Sequence, residues 1–65
     1  MNWTQIEGKW GDISGRIRQQ WGKLTDDDLE QIRGRRDRLI GKLKEHYGDA
    51  REDLEKRVDS FIDRL

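Results

Sequence analysis

The sequence predicts an all-α protein: a small four-helix domain made of two similar helical hairpins packed across each other. Three observations predict it. Large apolar residues recur every three or four positions, glycines recur with a fixed period, and no stretch alternates with period two. The chain has 65 residues, so a single domain over 1–65 is the ceiling. A chain of this length buries only about 60% of its unfolded surface, and its core supplies roughly 3–5 kcal/mol. There is no Cys to add a disulfide or a thiolate metal site, and the single His, His46, is too little for an imidazole zinc site.

The glycines define an internal repeat. Gly8, Gly15 and Gly22 lie seven apart, and Gly34, Gly41 and Gly48 repeat them after a shift of 26. Between them Ile13 falls on Leu39, Arg16 on Lys42, Ile17 on Leu43, Trp21 on Tyr47 and Ile32 on Val58. The repeat units are 8–33 and 34–59.

The first apolar stripe is Trp3, Ile6, Trp10, Ile13, Ile17, Trp21 and Leu24. It predicts a helix over about 10–21, preceded by a looser helical turn. Gly22 follows Trp21 and is placed to take the left-handed conformation that closes a helix. Thr25 is a good N-cap for the next helix, near 26–33, and Asp28 three residues on resembles the second half of a capping box. Asp26, Asp27 and Asp28 also complement the positive end of the helix dipole. A second stripe, Leu29, Ile32, Leu39, Leu43 and Tyr47, continues through a helix near 35–47. One helix over 26–47 and two helices bent at Gly34 are both open, and the repeat boundary at Gly34 favours the bend. Gly48 ends this segment, and Leu54, Val58, Phe61, Ile62 and Leu65 form the stripe of a last helix near 50–64.

At about 100° per residue, Gly8 and Gly15 fall opposite the Trp/Ile stripe, and Gly34 and Gly41 fall opposite the Leu/Tyr stripe, off the core face. Two readings stand: tolerated surface positions or close approaches of another helix, and helices whose folding is conditional. A mid-helix Gly costs about 1 kcal/mol against Ala.

The sequence does not predict an enzyme. The three consecutive aspartates point about 100° apart, so they do not converge on one cation. No Ser or Cys lies where it would share a helix face with His46; Ser14 and Ser60 are the only serines. No catalytic, metal or cofactor-binding residue is assigned, and no cofactor is expected. The one candidate interaction surface is the basic stretch Arg33, Arg35, Arg36, Arg38, Lys42 and Lys44. Nucleic acid is disfavoured as its partner: the net charge is zero, the pI is near 6.6, and the arginines spread around the helix. Membrane adsorption is disfavoured too, because the Trp-bearing stripe is needed for the core. A protein partner or a second copy of the chain remains. No apolar run spans a bilayer and no signal-peptide pattern is present, so the expected location is cytoplasmic.

These residues resemble the CsbD-like family of bacterial general stress proteins. The resemblance rests on Gln5-Ile6-Glu7-Gly8-Lys9, Gly15, the run from Trp21 to Asp28, Gly34, Gly41-Lys42 and Gly48-Asp49-Ala50. Trp21 and Tyr47 place it nearer the branch with bulky core residues than the Ala-rich branch. The resemblance implies a cytoplasmic protein raised in stationary phase or under osmotic and other stress, folded as a compact four-helix domain. It implies no known activity, cofactor or binding site. The function expected is therefore a non-enzymatic general stress response, by a hydrophilin-like protectant with a hydrated charged surface; mean hydropathy is −1.22. The alternative is a protein- or nucleic-acid-interaction module using the 33–44 stretch.

Overall fold

The computed structural model describes all of residues 1–65 and contains five helices and no strand. They are α1 (Trp3–Gly8), α2 (Trp10–Gln20), α3 (Asp26–Ile32), α4 (Arg36–Tyr47) and α5 (Arg51–Asp63). The looser turn before residue 10 is thus a short helix of its own. It is opened by a capping box in which Asn2 accepts from the Gln5 N–H and Gln5 answers to the Asn2 N–H. The expected bend is present. Arg33 closes α3 in the left-handed region (φ 48°) and Gly34 follows at φ 81°, so 26–47 is two helices. Helices α2 and α4 begin 26 residues apart, at Trp10 and Arg36.

Two of the termini follow directly from local chemistry. Thr25 and Asp28 form the reciprocal cap on α3, with Asp28 in the place Glu or Gln usually takes. Gly48 closes α4 in the left-handed conformation (φ 72°) and donates to the Lys44 carbonyl. Gly22 does not do the same for α2. There the chain turns extended at Trp21 (φ −126°), whose N–H still reaches the Ile17 carbonyl. This exit carries Trp21 and Leu24 into the interior, where both are buried.

Fourteen buried apolar side chains form one cluster, and Trp3, Trp10, Tyr47 and Leu65 pack half-buried against it. No tryptophan stands in solvent; Met1 is the only exposed large apolar residue. Trp21 meets Phe61 edge to face at 5.2 Å between centroids. The Trp10 indole N–H donates to the Leu29 carbonyl at 3.0 Å, fastening α2 to α3. Helix α4 lies against both α3 and α5, and for that reason its apolar arc is wide. Ile40, outside the stripe read from the sequence, is as fully buried as Leu39 and Leu43. Because α4 is shared between two neighbours, the packing does not establish two separate hairpins.

The glycines divide. An added Cβ would meet nothing within 4 Å at Gly8, Gly11, Gly15 or Gly41, so these are open positions within or beside helices. Gly34 is different: it is buried, against Glu7 of α1, which corrects its expected place off the core face. The reason is phase. A helical wheel run from Leu29 through Tyr47 loses its angle at the two left-handed residues.

A prediction follows for the open pair. Gly15→Ala with Gly41→Ala removes two mid-helix glycines without a clash and should stabilise the fold by about 1 kcal/mol each. In a thermal melt followed by circular dichroism, that is a rise of roughly 4–8 °C per kcal/mol. No rise would mean those glycines serve some contact the fold does not show.

Candidate functional site

The six cations of the basic stretch do not form one patch. Arg35 reaches α1, at 3.6 Å from the Glu7 carboxylate. Arg36 turns to α5 and grips Asp59 with two N–H donors at 3.1 Å each. That bidentate contact, with Glu55 at 4.0 Å, raises its pKa above the ordinary arginine value. Lys44 is exposed. Only Arg33, Arg38 and Lys42 come together, lining a shallow depression of ≈ 590 Å³ between α3 and α4. Two carboxylates, Glu30 and Glu45, line it as well, and each is paired: Arg33 to Glu30 at 3.1 Å, Lys42 to Glu45 at 3.6 Å. Arg38 donates to the Gln31 carbonyl.

Next to that depression is the one buried charged side chain, Asp28. One oxygen, Oδ2, accepts from the Thr25 N–H at 3.0 Å and lies 2.6 Å from His46 Nε2; Oδ1 lies 3.7 Å from Lys42 Nζ. The Thr25 N–H holds the carboxyl down to about 2 from its usual 3.8; burial opposes this, and the His46 hydrogen bond and charge add to it. The cluster joins the start of α3 to the last turn of α4. Sequence reading found Asp28 as a cap and weighed His46 for metal or catalytic chemistry, and did not join the two. A short connection from α3 to α4 makes them antiparallel neighbours, which sets residue 28 beside residue 46, and Lys42 lies one turn before His46 on the same face.

The three aspartates part company, as their helical angles require. Asp26 pairs with Arg18, Asp27 is exposed, and Asp28 turns inward. No group of three His, Cys, Asp or Glu side chains is placed to hold a metal ion. Ser14 donates to the Gly11 carbonyl within its own helix. No buried side-chain nitrogen or oxygen lacks a partner, so the Asp28–His46 contact reads as a tie between helices.

A second depression, ≈ 650 Å³, lies between α2 and α5. Gln20, Tyr47, Lys56, Arg57, Ser60 and Arg64 line it above Trp21, with no acidic side chain among them. It continues past Gln20 and Arg64 to Arg16 and Gln19. Sequence reading missed this groove, because its cations come from two helices far apart in the chain.

Comparison with known proteins gives a consistent picture. A family model described as CsbD-like matches residues 4–56. The UPF0337 protein YjbJ of Escherichia coli O6:H1 is 47% identical over 64 residues, covering 98% of this chain and 93% of its own. The UPF0337 protein PA4738 of Pseudomonas aeruginosa is 48% identical over 65 residues, the full length of both. The UPF0337 protein pc0632 of Protochlamydia amoebophila is 47% identical over 64 residues, covering 98% of this chain and 97% of its own. No solved structure matches the chain.

Proposed function

The chain belongs to the CsbD-like family, and on that premise we propose that it is a non-enzymatic general stress-response protein that protects other macromolecules through its hydrated charged surface. One observation carries the reading. The large apolar side chains gather in one interior with only Met1 exposed, while every charged side chain but Asp28 lies at or near the surface. The surface charges interlock between elements, as Arg18 with Asp26, Arg35 with Glu7, Arg36 with Asp59 and Arg57 with Asp49. Exposed pairs of this kind contribute about 0–1 kcal/mol each, so they add little to the fold itself. No helix is long and apolar enough to cross a membrane, and the proposed site of action is the cytoplasm.

The proposed mechanism is physical. A small domain with open glycines in its helices gives up helicity easily, and its mixed-sign surface hydrates or screens neighbours as water is withdrawn. The alternative, an interaction module built on 33–44, has less support, because five of those six cations already bond within the chain.

The test dries a labile dehydrogenase with the full chain and with an equal mass of an inert protein, then measures recovered activity. Greater recovery with this chain is expected, and the Gly15→Ala/Gly41→Ala variant should separate protection from lability. Recovery no better than the inert protein would overturn the reading.

A further inference from the structure

We propose that the α2–α5 groove binds the sugar–phosphate backbone of single-stranded nucleic acid, without preference for sequence. The starting point is how α5 sorts its charge. At 100° per residue, Leu54, Val58, Phe61 and Ile62 take the buried side. Glu52, Glu55, Asp59 and Asp63 fall on one flank and Arg57, Ser60 and Arg64 on the other, with Lys56 at the solvent-facing crest between them, where it still borders the groove. The acidic flank meets a cation of the facing helix: Arg36 of α4 engages Asp59 and Glu55. The basic flank meets α2, which offers no carboxylate there, only Arg16, Gln19 and Gln20. Asp53 shares the basic flank one turn earlier, outside the groove, and Asp49 pairs with Arg57 at 3.1 Å.

Arg16, Lys56 and Arg64 are therefore exposed, face a common groove and have no carboxylate partner. Like charges set together cost the free protein a little, and an anion lying between them removes that cost. The donors suit phosphate oxygens: two guanidinium forks, an ammonium, the Ser60 hydroxyl and the Gln amides. From Lys56 to Arg64 is roughly 12 Å along the helix, so the contacts form a track, fit for a repeating polyanion. At one end Tyr47 is half-buried, with Lys23 Nζ 4.9 Å from its ring centroid, and offers a base an aromatic edge. Tyr47 can meet an unpaired base but not one held in a duplex, which favours a single strand as the occupant. A membrane is the poorer occupant, since no exposed large apolar side chain borders the groove to enter lipid. The zero net charge conceals this arrangement from any reading of composition.

The experiment titrates the full chain into a labelled oligothymidylate at low salt and follows fluorescence anisotropy. Three to four phosphate contacts at about 0.7 counterion each give a slope of log affinity against log salt near −2 to −3. Lys56→Gln with Arg64→Gln should weaken binding at least tenfold and flatten that slope by about 1.4. Arg38→Gln with Lys44→Gln, an equal loss of charge on the other surface, should change it less than twofold. All four residues are exposed, and unchanged circular dichroism certifies the fold. Absence of binding, equal weakening by both pairs, or tighter binding to the matched duplex or to anionic phosphatidylglycerol vesicles would each overturn the proposal.

Discussion

Gly34→Ala should cost about 3 kcal/mol, most of the stability a domain of this size has. Two penalties add at this position. The backbone sits at φ 81°, where an L side chain costs roughly 1–2 kcal/mol. The new Cβ would also stand 2.6 Å from the Glu7 Cα and 3.0 Å from its N. Those are backbone atoms, so nothing rotates away; α1 must shift as a body, and such overpacking costs about 1–3 kcal/mol. A domain of this size has only about 3–5 kcal/mol in hand. Gly48→Ala is the matched control. It has a similar φ, 72°, with nothing within 4 Å of the added atom, so it carries only the conformational penalty. Chemical denaturation of both variants separates the two effects. Equal losses would mean that α1 does not press against Gly34.

Residue 34 also shows where sequence ceases to carry the fold. The helices were legible because Trp10, Ile13 and Ile17, or Leu54, Val58 and Phe61, keep a constant angle within one helix. The break at 33–34 was legible because the glycine period marked it. The close approach of Glu7 was not: it depends on where α1 comes to rest after two left-handed residues have reset the direction of the chain. Gly22 and Gly48 make the same point. They are equivalent by the 26-residue shift, yet only Gly48 closes its helix left-handed, because burying Trp21 demands another exit. Ile40 escaped notice because a stripe assumes one neighbour and α4 has two. Of the candidate surface, the residues were legible as cations, but their partners were not. Arg36 finds Asp59 23 residues away, and the uncompensated cations Arg16, Lys56 and Arg64 come together only where α2 and α5 line a common groove.

The contact between Asp28 and His46 belongs to that second class, and replacing Asp28 tests it with a sign that can be worked out. The carboxyl titrates at about 2 in the fold against an ordinary 3.8. A lowered value means that the folded state prefers the charged form. Its contribution is therefore complete above the ordinary value and disappears as pH falls through about 2. A difference of this size corresponds to about 2 kcal/mol, a large share of a small domain's stability. Asp28→Asn keeps the shape and a cap acceptor but removes the negative charge that the Thr25 N–H, and after it His46, favours. It should be less stable than the parent by about 2 kcal/mol near neutral pH, and the gap should close as both are taken from pH 4 to pH 2. Asp28→Ala should lose a further ~1 kcal/mol at every pH, because the Thr25 N–H then has no side-chain acceptor. Urea melts of the three proteins across that range measure both quantities. A gap between parent and Asp28→Asn that stays constant down to pH 2 would show that the fold does not favour the charged carboxylate, which the Thr25 N–H supports first and His46 second.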